Sequence, residues 1–220
     1  MTTPCVYCGD KKTNTKDHVP GKGFFPQPRP SDLITVACCR KCNVDHGYDE
    51  EFFAATFLFS DAASTKTGKE LWDSKFSRGW RRNSGLRAAL QKRMSRIPVF
   101  SPKGIYLQNR LAIELDHERL DSVVMRCIRG LYFFEFGEIL HNQTEMQVAN
   151  LLTPQSQKAM EEQAKSAQPG KRDWPGVFEY RVAKCHEVDQ GSMWLVRFYG
   201  MVCYWAVTSP FDFKGESGTI

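Results

Sequence analysis

The sequence lacks any long apolar run, and no stretch approaches the roughly 18 residues of a membrane-spanning helix. Its N-terminus is polar and reaches Cys5 at once, without the apolar core of a secretory signal peptide. It also contains no internal repeat and no low-complexity tract. We therefore expect a chain that works in the cytoplasm and does not bind a membrane.

The chain length bounds the domain organisation. At 220 residues the chain can form a packed core, and most of its aromatic residues lie after residue 50. The segment before that point is too short to bury much apolar surface alone, which is where a structural metal helps most. We predict a small metal-stabilised module followed by a larger α+β domain with an antiparallel sheet.

Five of the eight cysteines lie before residue 43. Two C-x-x-C pairs, Cys5/Cys8 and Cys39/Cys42, place thiolates at the spacing that suits a tetrahedral zinc site. Cys38 is an alternative to Cys39, although its spacing to Cys42 is one residue wider than usual. Another alternative is that these cysteines are only buried or paired. Three further thiols are predicted to be buried and free: Cys127, Cys185 and Cys203.

Polar groups of a second kind lie between and beside the cysteine pairs. Asp17-His18 falls on a predicted strand between the pairs, and Asn43 directly follows the second pair. An imidazole that acts as a base and oxygen atoms that bind a hard cation are the groups a hydrolytic metal site uses. A lone histidine is more often structural, so the catalytic interpretation depends on this placement beside the predicted zinc site.

These motifs together resemble the HNH endonucleases, also called ββα-metal nucleases, in the form with a supporting four-cysteine zinc. The matching segments are C-V-Y-C-G, K-D-H-V-P, S-D-L-I-T-V and C-R-K-C-N, and they cover residues 5 to about 52. The resemblance implies an HNH module over residues 1–52 with a structural zinc. Residues 53–220 would then form an α+β domain that positions DNA or a partner.

The resemblance also implies a role for each matching residue. His18 would be the general base, and Asp17 and Asn43 would hold a catalytic Mg²⁺ or Mn²⁺. The reaction would hydrolyse DNA and leave a 5′-phosphate and a 3′-hydroxyl. His46 is either a further ligand of that ion or, as we favour, an exposed helix residue. Asp32 stands where the family usually has an asparagine that braces the ββ loop, and a carboxylate can accept but not donate hydrogen bonds there.

The positive charge is concentrated in one stretch. Residues 74–97 carry eight basic side chains and no acid, so subtracting these eight charges from the net charge of +5 leaves −3 for the rest of the chain. Such a cluster is typical of a phosphate-binding surface, although a solvated helix face is the alternative. Trp80 either stacks on a base or packs in the core. The predicted DNA-contacting residues are Arg78, Arg81, Arg82, Lys92 and Arg96.

Two function classes compete on this evidence. The leading hypothesis is an HNH endonuclease that acts on double-stranded or branched DNA. The alternative is a non-catalytic, zinc-stabilised nucleic-acid-binding module, which needs only the four cysteines and the basic stretch. RNA as the substrate and the oligomeric state stay open.

Hydrophobic periodicity predicts the remaining elements. The helix over 118–129 is expected to pack in the core and to carry no chemistry. The predicted elements are a strand over 33–36, a helix from near Cys42 through Phe59, a helix from Gly85 through Ile97, a hairpin of 105–108 and 111–115, a helix over 118–129 ended by Gly130, a strand over 131–136, a helix from Pro154, and strands over 177–188, 193–199 and 201–207.

Overall fold

The computed structural model describes residues 3–10, 13–59 and 61–210, without the side chains of Asp45, Asp61 and Lys75. Within these ranges the chain begins with a two-stranded antiparallel sheet and two helices. Their bounds are β1 (Thr15–His18), β2 (Thr35–Cys38), α1 (Arg40–Asp45) and α2 (Gly47–Leu58).

The second part of the chain combines helices with two further antiparallel sheets. The elements are α3 (Lys66–Leu71), α4 (Ser77–Arg82), α5 (Ser84–Gln91), β3 (Met94–Phe100), β4 (Tyr106–Ile113), α6 (His117–Phe136), β5 (Glu145–Asn150), α7 (Pro154–Gln163), β6 (Gln168–Pro169), β7 (Phe178–Lys184), β8 (Ser192–Phe198) and β9 (Val202–Ser209). The five strands of the larger sheet lie in the order β5-β9-β8-β7-β6. This mixture of helices and antiparallel sheets confirms the α+β class.

One buried cluster joins the N-terminal part to the larger sheet. Phe24, in the loop after β1, is fully buried, and its ring centroid lies 5.3 Å from that of Phe198 on β8 and 5.6 Å from that of Phe53 on α2. Burial of one such side chain contributes about 1.5–3 kcal/mol. The N-terminal elements are therefore fixed on the sheet, and the boundary near residue 52 stays a prediction.

The long helix α6 corrects two predictions. Gly130 does not end the helix, and residues 131–136 are helical and do not form a strand. Leu131 and Tyr132 are buried and continue the apolar stripe of the preceding turns, so packing along the stripe outweighs the low helix propensity of one glycine. The helix ends at Phe136, followed by Gly137 in the left-handed conformation, with a φ of 71°.

Gly130 has a packing role that a substitution can test. A Cβ at this position would lie 2.5 Å from Cγ2 of Val19, the residue after His18. Gly130→Ala should therefore destabilise the protein by about 1–3 kcal/mol through overpacking, although alanine favours helix by about 1 kcal/mol. Urea unfolding measures the change. Gly85→Ala is the matched control, because its added Cβ meets an atom at 3.6 Å and should be tolerated. Equal stability of Gly130→Ala and wild type would contradict the packing role.

The hairpin is displaced from its predicted position. Residues 106–113 form the single strand β4, which pairs with β3 from Met94↔Ile113 to Phe100↔Tyr106. The predicted helix over 85–97 ends at Gln91, because Met94 and Ile97 belong to β3. The hairpin is stabilised mainly by the hydrogen bonds between its two strands, since several of its large apolar side chains are exposed. These are Ile97, Phe100, Tyr106, Leu107 and Leu111.

The C-terminal predictions are largely confirmed. Strands β7, β8 and β9 and helix α7 occur where the sequence indicates, whereas β5 was not predicted. Cys127 and Cys203 are buried as expected, but Cys185 is exposed, so its prediction was wrong. In the described ranges, no helix combines the length and the apolar character that crossing a membrane requires.

Candidate metal centre and catalytic cleft

Four cysteine thiols converge at the start of α1. The Sγ atoms of Cys5, Cys8, Cys39 and Cys42 all lie within 4.8 Å of one another, and those of Cys8 and Cys39 are 3.8 Å apart. A tetrahedral site with Zn–S bonds of about 2.3 Å places its sulfurs about 3.8 Å apart. These four residues could therefore bind a metal such as zinc. Cys39 belongs to this cluster, and the alternative ligand Cys38 does not.

Backbone N–H groups around the cluster donate hydrogen bonds to its thiols. Cys39 precedes α1, and its Sγ accepts a hydrogen bond from the Cys42 amide at 3.4 Å. Burial opposes the Cys5 thiolate, but the backbone N–H groups of Cys39, Cys8 and Tyr7 outweigh it and lower the pKa of Cys5 to about 7. Burial raises the pKa of Cys42. Since the thiolate is the metal-binding form, the lowered pKa of Cys5 favours metal binding.

The predicted catalytic residues line one cleft beside this cluster. A cavity of about 440 Å³ is bordered by Asp17 and His18 from β1, by Asn43 from α1 and by His46. Asn43 Nδ2 donates to the Lys16 carbonyl at 3.4 Å and so ties α1 to β1. The short sheet and the helix thus bring together residues that are far apart in the sequence.

Two groups outside β1 orient the Asp17 carboxylate. Its Oδ2 accepts hydrogen bonds from the Tyr7 hydroxyl at 2.7 Å and from Arg126 Nη2 at 2.6 Å. The Asp17 and Arg126 side chains are only 13% and 6% exposed. Removing one partner of a buried ion pair costs roughly 3–5 kcal/mol, so this pair holds α6 against β1. Burial and then Asp17 raise the pKa of Tyr7, which stays a hydrogen-bond donor.

His18 occupies an environment that favours its neutral form. Burial lowers its pKa, and the charges of Lys22 and Arg29 lower it further against the opposing effect of Asp17. A neutral imidazole is the form that can accept a proton. The last residue of β1 therefore has the chemistry of a base at neutral pH.

His46 lies at a break between two helices. The predicted continuous helix through Phe59 begins earlier, at Arg40, and divides into α1 and α2 at this residue. His46 is partly buried and lines the cleft, so the structure does not place it as an exposed residue on a helix face. This position is compatible with the tentative role as a metal ligand.

The cleft also contains acidic residues that the sequence analysis did not single out. Glu50 and Glu51, from the first turns of α2, line it together with Asp17. The chain at Gly21 passes close to Glu50, because an added Cβ would lie 1.9 Å from its Oε2. Only glycine fits there without displacing the carboxylate. The Asp49-Glu50-Glu51 run was visible in the sequence, but the direction in which its side chains point was not.

The Asp32 side chain contacts residues from the C-terminal part of the chain. Its Oδ1 accepts a hydrogen bond from Trp174 Nε1 at 3.3 Å, and its Oδ2 lies 3.6 Å from Arg172 Nε. The role in bracing the ββ loop stays a prediction. The observed contacts instead connect the loop before β2 to the segment before β7.

The predicted DNA-contacting side chains are all exposed on or near α4, α5 and β3. Trp80 does not join them, because its ring packs 4.7 Å from that of Phe59, in the position of a core anchor. Asn83 Nδ2 donates to Glu51 Oε2 at 3.2 Å, which places the α4–α5 junction beside the cleft. The exposed residues are Arg78, Arg81, Arg82, Lys92 and Arg96.

Comparison with family models, with curated proteins and with solved structures produced no match to this chain.

Proposed function

We propose that this protein is a metal-dependent endonuclease of HNH type that hydrolyses phosphodiester bonds in DNA. The observation that carries the proposal is the shared cleft of Asp17, His18 and Asn43 next to the four-cysteine cluster. A binding module has no need to place a neutral imidazole among carboxylates. A phosphodiester hydrolase needs both groups within reach of one phosphate.

In this mechanism His18 accepts a proton from the attacking water. Its lowered pKa keeps the imidazole unprotonated at neutral pH, as a general base requires. Its backbone at the end of β1 is held in the sheet, because the backbone N–H of the next residue, Val19, donates to the Ile34 carbonyl at 3.0 Å. The water would therefore be activated at a defined place in the cleft.

The donor set of the cleft fits a hard divalent cation. Asp17 and Asn43 would hold Mg²⁺ or Mn²⁺ through oxygen atoms, and His46 could add a nitrogen ligand. When bound, such an ion stabilises the charge that develops on the phosphate and on the leaving 3′-oxygen. Tyr7 and Arg126 fix the orientation of the Asp17 carboxylate, as outer-shell partners of metal ligands do.

The cysteine cluster would have a structural role in this proposal. A zinc ion on the four thiolates would join the segment that contains Tyr7 to the start of α1, which contains Asn43. It would hold the two sides of the cleft together without taking part in the reaction.

The alternative function, a non-catalytic zinc-stabilised nucleic-acid-binding module, is favoured by one observation. Five basic side chains between residues 78 and 96 are exposed, and surface of this kind binds phosphates without any catalysis. The α4–α5 junction beside the cleft suits either function, since a nuclease must also hold its substrate.

Incubation of purified protein with supercoiled plasmid tests the proposal. We expect nicked or linear product with Mg²⁺ or Mn²⁺ and none with EDTA. DNA binding without cleavage in either metal, on both plasmid and branched DNA, would replace the nuclease with the binding module.

The basic surface should contribute salt-dependent affinity. Arg81→Gln/Arg82→Gln should weaken DNA binding and reduce the slope of log K against log salt concentration by about 0.9 for each phosphate that the protein no longer neutralises. Fluorescence anisotropy of a labelled duplex between low and physiological salt measures the slope. Lys158→Gln/Lys165→Gln removes two exposed charges elsewhere and is the matched control. Equal slopes for the two double variants would show that the arginines are only a solvated helix face.

A further inference from the structure

The guanidinium of Arg126 has donors that the protein does not satisfy. The side chain is 6% exposed and lines the cleft together with His18. Its Nη2 bonds to Asp17, and its Cζ lies 3.8 Å from the centre of the Tyr7 ring. Within the part of the chain that the structure describes, its Nε and Nη1 are buried and have no hydrogen-bond partner.

Unsatisfied donors of this kind are uncommon in folded proteins. Buried polar groups are almost always paired, and a buried charged donor without a partner is costly. Tyr7 and Asp17 fix the plane of the guanidinium from two sides, so it cannot turn easily to find other acceptors. The remaining N–H groups of Arg126 are thus held in a fixed orientation beside the cleft.

The charges of the cleft indicate the class of ligand. Its acidic and basic side chains are equal in number, with Asp17, Glu50 and Glu51 against Lys16, Lys22 and Arg126. A cleft that also holds a divalent cation would gain an excess of positive charge and would attract an anion. A guanidinium N–H group forms a strong, charge-assisted hydrogen bond with a phosphate oxygen.

We propose that Arg126 donates a hydrogen bond from an unpaired nitrogen, Nη1 or Nε, to a non-bridging oxygen of a phosphodiester. Helix α6 therefore completes the cleft, and the N-terminal ββα elements alone do not form the whole site. The identity of the ligand as the substrate's own phosphate rests on the proposed function. The alternative is a purely structural role, in which Arg126 only joins α6 to β1 through Asp17.

Nuclear magnetic resonance of the arginine side chain distinguishes these roles. The Nε–Hε signal of Arg126, assigned in His18→Ala protein to prevent cleavage, is followed while Mg²⁺ and a short DNA duplex are added, and separately with dimethyl phosphate. A ligand role predicts a saturable shift of this signal with both probes. Fluorescence anisotropy of labelled DNA shows independently when binding is saturated. An Arg126 signal that does not shift at saturation would leave only the structural role.

Kinetics provide a second readout with matched variants. Arg126→Lys keeps the charge but loses the guanidinium N–H donors held in a fixed direction, so kcat/KM should fall roughly tenfold to a hundredfold. Tyr7→Phe removes a hydrogen bond to Asp17 but leaves the ring below the guanidinium, so the Arg126 signal should still respond to DNA. Arg126→Lys with unchanged kcat/KM would overturn the proposal.

The same experiments separate this inference from the proposed function. A shifted Arg126 signal, together with no cleavage of any substrate by the wild-type protein, would keep the phosphate site and reject the nuclease. Metal-dependent cleavage by wild type with no response of Arg126 would keep the nuclease and reject the phosphate site.

Discussion

Replacing His18 with alanine should reduce metal-dependent plasmid cleavage roughly 100- to 10,000-fold, the usual contribution of a general base. The loss should appear in kcat, because the imidazole acts on the water and not on DNA affinity. Nicking rates on supercoiled plasmid with saturating Mg²⁺ or Mn²⁺ measure it. His186→Ala, which changes an exposed histidine in the turn between β7 and β8, should cut at the wild-type rate.

The alanine variant must keep its structure for this result to count. His18 is only partly buried, so His18→Ala should retain the metal content of the cysteine cluster and should melt close to wild type. Cleavage by the folded variant at more than a tenth of the wild-type rate would show that another group takes the proton. His46, which lines the same cleft, would then be the next candidate.

Local geometry explains why much of the cleft could be predicted from the sequence. Two C-x-x-C pairs fix the ends of a segment, and the residues between and after them follow from a short strand and a helix start. Asp17, His18 and Asn43 therefore converge through contacts that neighbouring motifs determine. The choice of Cys39 over Cys38 also followed from spacing alone.

Arg126 could not be predicted in the same way. It lies 109 residues from Asp17, and only the packing of α6 against the N-terminal elements brings the two together. One signal was present, since Arg126 follows Arg119 by two helical turns at the edge of the apolar stripe. Arg119 makes an ion pair with Asp49 of α2, so both arginines face the N-terminal elements. Two arginines spaced two turns apart on a buried helix indicate that acidic side chains of a neighbouring element pair with them.

The misplaced elements have a common physical cause. Met94 and Ile97 fit a helical stripe with Leu86 and Leu90, yet they lie in β3. The partner strand β4 was predicted as two separate strands of a hairpin, 105–108 and 111–115. Strand pairing is a non-local contact, whereas periodicity reports only local spacing. The strands β7 to β9 were predictable because short connections join them, of seven residues before β8 and of three before β9, and the partners are therefore neighbours in the sequence.

Replacing Cys39 with alanine should have the largest effect on stability and should also abolish cleavage. Structural zinc contributes about 10–16 kcal/mol in small zinc modules, so loss of one of four thiolates should remove most bound metal and lower the melting temperature strongly. Cys39 also accepts a hydrogen bond at the start of α1, the helix that positions Asn43. Elemental analysis of the purified protein and thermal unfolding measure the two effects.

Cys38→Ala is the matched control, because it removes the same atom one residue away. Cys38 is fully buried, and burial raises the pKa of its thiol to about 12, so it behaves as a small neutral side chain. Its replacement should cost about 1 kcal/mol and leave the metal content unchanged. Equal metal retention in both variants would mean that the adjacent thiols can exchange as ligands. The cluster would then not fix the position of α1, and the cleft that depends on α1 would need another source of order.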